Sequence, residues 1–234
     1  MITKFFLTTL ALLPLHSLLA DPFEVKFLAW DEQIATRKLG TVGGEITGLH
    51  PLQRTPNYKV NVENGVFPVQ AIDKKNDKGE PAVLSIKVPA GTIKPLVILL
   101  PKPDAPSGLA SLVIEDDESS LKWGSIRAFN STSGALAMAI GNDAKSLPAG
   151  WKPIDFQPDP EKTVSLQIGL PAELRKPLET RQLLFSTVWT PDSETRSLAI
   201  IVPGTDVRLG PLAIKVITED RRTVAAQRSA AGKR

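Results

Sequence analysis

Apolar and polar residues alternate one by one along much of this chain. Val164, Leu166, Ile168 and Leu170 are separated by Ser165, Gln167 and Gly169, and Leu84, Ile86 and Val88 by Ser85 and Lys87. Leu136, Met138 and Ile140 alternate with alanines, and Leu212, Ile214 and Val216 with Ala213 and Lys215. A strand sends successive side chains to opposite faces, so this period of two predicts sheets with one buried face. The sharpest turn signal is Asn64-Gly65, which tolerates the positive φ of a type I′ turn and predicts a hairpin over 58–72. Helical windows are few and short. The best are 31–39 and 172–179, the second broken by Pro177. With 20 Pro and 16 Gly as punctuation, the pattern predicts an all-β protein of β-sandwich, immunoglobulin-like architecture.

The pattern also repeats. KPLVILLP at 94–101 matches RSLAIIVP at 196–203, and ASLVIEDD at 110–117 matches AIKVITED at 213–220. Upstream, VLSIKVPAG at 83–91 corresponds to LLFSTVWTP at 183–191. Further upstream, 60–72 and 126–140 each read as strand, Asn- and Gly-containing turn, strand. The expectation is two tandem β-sandwich modules, 21–117 and 118–220, at a spacing usual for sandwich domains. The alternative is one larger sandwich built from both halves, which the short junction permits.

Residues 1–20, MITKFFLTTLALLPLHSLLA, have a positive start at Lys4, an apolar run over 5–15 and a small residue, Ala20, where cleavage would fall. That order defines a secretory signal peptide. The apolar run is shorter than the roughly 20 residues a membrane-spanning helix needs, and 96–101 is only strand-length. A mature chain beginning near Asp21 is therefore expected outside the cytoplasm, periplasmic or secreted and not membrane-spanning. The absence of Cys excludes lipidation at an N-terminal cysteine and leaves both modules to be held by apolar burial rather than disulfides.

A signal peptide, two Pro-rich β modules, the strand-turn Ser125-Ile126-Arg127-Ala128-Phe129-Asn130 and the LPAGW segment at 147–151 together resemble a group of exported proteins of verrucomicrobial and planctomycetal bacteria. The resemblance spans most of the mature chain. It implies the two-module β-rich fold and no particular activity, cofactor or catalytic residue.

The formal charge of +3 suggests a basic protein, but the excess is local. Of 28 basic residues, Lys4 lies in the leader and Arg221, Arg222, Arg228, Lys233 and Arg234 in the last segment, leaving 22 against 25 acids in 21–220. No specific nucleic-acid partner is expected. Residues 221–234, basic and rich in small residues, read as a disordered tail.

The chemistry is bounded by what is scarce. The mature chain has one histidine, His50, too few for a His/Cys zinc site. His50 precedes Pro51 with no Gly-x-Ser-x-Gly elbow to serve a triad, and it reads as a loop residue. GTVGGE at 40–45 lacks the Lys-Ser/Thr of a phosphate loop and reads as a turn. Glu115, Asp116, Asp117 and Glu118 read as a solvated polar loop at the module junction, with calcium binding as the alternative. Asn130-Ser131-Thr132 reads as a β-turn rather than a glycosylation site. Trp30, Trp123 and Trp189 read as packing residues. Trp151, after Pro148-Ala149-Gly150, is the possible partner-binding aromatic. No catalytic, cofactor-binding or metal-ligating residue stands out. The expectation is an exported non-enzymatic protein with a binding or structural role in the bacterial cell envelope, its partner an envelope protein or glycan. The alternative is a carboxylate-dependent hydrolase of envelope polysaccharide.

Overall fold

A computed structural model describes residues 23–231. The expected signal peptide, residues 1–20, lies outside them. Sixteen strands form four four-stranded sheets. The first eight are β1 (Phe23–Ala29), β2 (Leu39–Thr41), β3 (Gly44–Glu45), β4 (Tyr58–Val60), β5 (Val66–Lys75), β6 (Pro81–Lys87), β7 (Pro95–Pro101) and β8 (Leu109–Glu115). The second eight are β9 (Ile126–Asn130), β10 (Leu136–Ile140), β11 (Asp143–Leu147), β12 (Ile154–Phe156), β13 (Val164–Gly169), β14 (Leu183–Trp189), β15 (Thr195–Pro203) and β16 (Leu212–Asp220).

The two sets of eight share one topology. The inner sheets run β4-β1-β7-β8 and β12-β9-β15-β16, and the outer sheets β3-β2-β5-β6 and β11-β10-β13-β14. Both inner sheets place one parallel pair at the centre, β1 with β7 and β9 with β15, and every other pairing is antiparallel. The blocks matched at 94–101 and 196–203 are the central strands β7 and β15. The upstream match of 60–72 with 126–140 does not hold. The topology equates β4 and β5 with β12 and β13, and β1 and β2 with β9 and β10. Both stretches read as strand-turn-strand, but they are different strand pairs of the module.

The predicted hairpin at 58–72 is also reduced. Asn64 and Gly65 adopt φ of 52° and 74°, and Glu63 bridges Val66, so the tight turn is present. The strands it joins then part: β4 pairs with β1 in one sheet and β5 with β2 and β6 in the other. The turn carries the chain from layer to layer.

Four sheets stack with three apolar interiors between them. In the first module, Phe27, Leu39, Phe67, Ile86, Val97 and Leu99 fill the space between outer and inner sheets. In the second, Met138, Leu147, Phe156, Ile168, Ala199 and Ile201 do the same. A third interior joins the modules, built from Leu28, Leu96, Ile98 and Ile114 on one side and Phe129, Leu198, Ile200 and Ile217 on the other. This explains why β7 and β15 read as unbroken apolar runs. Val97 and Leu99 face their own module while Leu96 and Ile98 face the other module, so both faces of the strand are dry. Burying a large aliphatic side chain contributes about 1.5–3 kcal/mol, so the seam has the character of a core rather than a loose domain contact.

The short helical windows are realised as α1 (Glu32–Ala35) and two 3-10 turns at Glu173–Arg175 and Leu178–Thr180. Residues 221–231, expected to form a disordered tail, instead make a helix, α2 (Arg221–Ala231). The reason is local. The Asp220 carboxylate accepts the amides of Arg222 and Thr223, which caps the first turn, and Ala, Gln and Arg are strong helix formers. Val224 on its inner face is buried. Among the described residues, no helix is long and apolar enough to cross a membrane.

Candidate functional site: the seam between the modules

The repeat brings corresponding charged residues to opposite sides of the seam. Leu96 and Leu198 hold the same place in the repeat; Lys26 lies opposite the first and Arg127 opposite the second. In the same register Lys94 corresponds to Arg196 and Asp116 to Glu219. These side chains cluster at one end of the inner sheets, where β8 and β16 finish.

Asp116 and Glu219 anchor the cluster. Arg54 donates to Asp116 from Nε and Nη2 at 2.8 and 3.0 Å, and both side chains are 3% exposed. Arg196, equally buried, binds Glu219 through Nε at 2.7 Å and approaches Asp116 across the seam at 3.7 Å. Lys26 crosses in the other direction to Glu219 at 2.8 Å. Three cations thus share two carboxylates. Burial alone would raise the Glu219 pKa, but Arg54, Lys26 and Arg196 outweigh it and hold the carboxyl at about 2. Burial also opposes the charge of Arg54, yet Asp116 more than compensates and raises its pKa.

Arg127 repeats the crossing from the second module. It donates to the carbonyls of Glu115 and Ser120, each at 2.8 Å, and pairs with Asp155 at 2.7 Å. Asp155 lies opposite Arg127, and the β1–β4 register, whose last pair is Val25 with Tyr58, brings Asn57 next toward Lys26. Asn57 is neutral and donates to Glu24 instead. The first module therefore carries its carboxylate on β1 itself, at Glu24, rather than on the strand opposite.

Beside the cluster lies a cleft of about 280 Å³. Arg54, Gln53 and Lys26 line one wall, Glu219 and Asp220 another, and α2 closes a third with Thr223, Val224 and Gln227. Arg54 Nη1 is buried and has no hydrogen-bond partner among the described residues. Helix α2 is held on the body by Val224 and by an Arg228–Glu118 ion pair, and Trp123 stacks under the guanidinium groups of both Arg196 and Arg221.

The acidic run at 115–118 is not the solvated loop its composition suggests. Glu115 accepts the amides of Ile93, Lys94 and Asp117. Asp116 is buried, Asp117 bonds Ser119, which with Lys94 lowers its pKa to about 2, and Glu118 pairs with Arg228. Adjacent strand residues point to opposite sides, so one acid turned inward where two distant arginines wait. Among the described residues no group of three acids or histidines is arranged to hold a metal ion.

Trp151 is half-buried at the seam, edge-on to Trp30 at 5.7 Å and tilted against Phe129 at 6.5 Å. It follows Gly150 and itself adopts φ of 64°, an uncommon backbone for an aromatic residue that its packing across the seam supports. Trp189 packs at the edge of the second module's core. His50 is half-buried in its loop, where Nδ1 accepts the Leu52 amide. Asn130 is fully buried and donates to the Gly134 and Leu147 carbonyls. Arg54, Arg196 and Glu219 carry the seam, and the sequence reading passed over Arg54 and Arg196. A basic residue beside a strand is ordinary; only the equivalence of Asp116 with Glu219 in the repeat pointed to this region.

No protein-family model matches the chain, and no curated protein matches it.

Proposed function

We propose that this is an exported, non-enzymatic protein of two immunoglobulin-like β-sandwich modules with a binding or structural role in the bacterial cell envelope. The observation that carries the non-enzymatic reading is the state of the carboxylates at the cleft. A glycoside-cleaving site needs one carboxylic acid whose pKa is raised so that it can donate a proton. Here Glu219 is held at about 2 by three cations, and Asp220 is lowered by the amides it accepts from the first turn of α2. Both are proton-poor at neutral pH. The fusion of the modules through a dry seam supports a rigid body that presents outer sheet faces and edges. Trp151 can offer a partner only the part of its ring left outside the seam.

Incubating the mature protein with an insoluble envelope glycan fraction tests this. The expected result is sedimentation with the fraction and no release of soluble reducing ends. Release of such ends establishes the hydrolase instead, and failure to sediment removes the binding role. N-terminal sequencing of protein recovered from fractionated cells tests export, with Asp21 the expected first residue.

A further inference from the structure

We propose that β14 is a dimerisation edge. Two copies of this chain pair antiparallel along it, with the two-fold axis at Thr187, and their outer sheets join into one sheet of eight strands. The inference is independent of what the protein binds in the envelope.

The four sheets have eight edge strands, and they are not equally guarded. β3 is two residues long, and β4 and β12 are three. β11 carries Asp143 and Lys145, and β16 carries Lys215, Glu219 and Asp220. β8 has no exposed residue. β6 opens on Pro81, ends on Lys87 and has an irregular register against β5. Shortness, charge, proline and irregularity are the devices by which sheets blunt their edges. β14 has none of them. It is seven residues, LLFSTVW, without a charge, proline or glycine, and it pairs with β13 alone. Ser186, Thr187 and Val188 are exposed in succession, Val188 by 71%. Successive residues point to opposite faces, so this stretch stands clear of the sandwich on both faces as well as along its edge. Gly210 of the β15–β16 loop approaches the Leu184 carbonyl, at the start of the strand and short of this stretch.

The sequence of β14 selects a second copy as the occupant. A two-fold axis at Thr187 sets Thr187 opposite Thr187, Ser186 opposite Val188 and Phe185 opposite Trp189. Thr–Thr and aromatic pairs are favourable across antiparallel strands. Phe185 and Trp189 both lie half-buried against the second module's core, so pairing continues that apolar surface into the other copy. The flanking charges agree. Arg181 precedes the strand and donates to the Gln167 side chain and the Lys176 carbonyl; Asp192 follows it and accepts the Glu194 amide. Neither has an ion-pair partner among the described residues. Antiparallel pairing brings the basic end of one strand toward the acidic end of the other, and parallel pairing would set like charges together. The first module limits the assembly. Its corresponding edge, β6, is blunted, so each copy offers one open edge, and an interface between equivalent edges closes at two copies.

The test is analytical ultracentrifugation of the mature protein over a concentration series, in which dimer should form as concentration rises. Thr187→Lys, at an exposed position, sets two like charges face to face and should weaken dimerisation about tenfold or more. Its melting temperature, measured where the wild type is monomeric, should match the wild type. Thr187→Asp should weaken dimerisation likewise, and an equal mixture of the two variants should dimerise again. Should either fold poorly, Thr187→Cys gives the same information in a chain that has no other cysteine. Oxidation should link two copies through it, and should not do so through Ser85→Cys on β6. A protein that stays monomeric up to about 1 mM, or a dimer that Thr187→Lys leaves intact, would overturn the proposal. The first result leaves the edge to a strand of another protein, and the second places the contact elsewhere.

Discussion

The two modules have the same eight-strand topology but spend their charges differently. Their apolar positions agree across the seam: Leu96 with Leu198, Ile98 with Ile200, Ile114 with Ile217, each buried. An interface formed by equivalent surfaces of two repeats is isologous, as in a two-fold dimer. The polar positions depart from that symmetry. Lys94 is mostly exposed and pairs with Asp117, whereas its counterpart Arg196 is buried on Glu219. Lys26 crosses to a carboxylate, and Arg127 to the Glu115 carbonyl. The outer sheets differ too. Leu174, in a 3-10 turn, covers Ala137 and Ala139 of β10, while in the first module Ile72 lies over Gly40. The seam holds its apolar pattern because both faces of β7 and β15 are buried, and the divergence is confined to the rim and the outer faces.

The strongest break in this comparison is at the equivalent acids. Asp116→Ala leaves Arg54 buried without its partner and removes one attachment of Arg196. Loss of one member of a buried pair costs about 3–5 kcal/mol, and a thermal melt should show it. Replacing the exposed equivalent of a neighbouring position, Asp220→Ala, removes a cap and should cost about 1 kcal/mol. If the two substitutions were equally mild, the cluster would be decoration rather than structure.

Acid should loosen the seam next. The Glu219 pKa is depressed from 4.5 to about 2 in the folded protein. Its contribution is therefore complete above about pH 4.5 and is lost as pH falls toward 2. A shift of this size corresponds to on the order of 3 kcal/mol. Denaturant midpoints measured across that window should fall for the wild type, and the fall should flatten in Glu219→Gln. An unchanged slope in the variant would place the acid sensitivity elsewhere.

A subtler pair separates seam from core. Ile200 faces the other module and Ile201 its own, and both are fully buried. Ile200→Val and Ile201→Val should each cost about 0.5–1.5 kcal/mol, within one cooperative transition. A near-zero effect at Ile200, or two transitions, would show that the modules unfold apart.

The sequence made the strands legible where burial leaves a pattern. The alternation at 136–140 and 164–168, the apolar runs of β7 and β15 and the turn at Asn64-Gly65 all have a local cause. Which strands pair was less legible, because β4–β5 and β9–β10 both read as strand-turn-strand and only the parallel β1–β7 contact distinguishes their places. The site was scarcely legible. Arg54 and Arg196 lie 62 and 80 residues from Asp116, and neither has a periodicity that marks it as buried. Helix α2 was hidden by a composition typical of tails, although Asp220 before Ala-, Gln- and Arg-rich residues is a capping signal that reads correctly once composition is set aside.

The smallest expected effect bears most directly on the asymmetry. Asn57 occupies the place of Asp155, so Asn57→Asp gives the first module a carboxylate on the matching strand. Asn57 donates to Glu24 at 2.8 Å, and a second acid there would repel it, so the change belongs with Glu24→Gln, whose amide can donate to the new carboxylate. The two changes together move one carboxylate from β1 to the strand opposite and leave the net charge as it was. Lys26 is partly exposed, so solvent screening limits the gain to about 1 kcal/mol or less. High salt should shrink it further. A small stabilisation that disappears in salt would identify the position of the carboxylate, rather than the number of acids, as what separates the two modules. A loss of stability in the double variant would mean that the native Asn57–Glu24 arrangement is the better neighbour for Lys26.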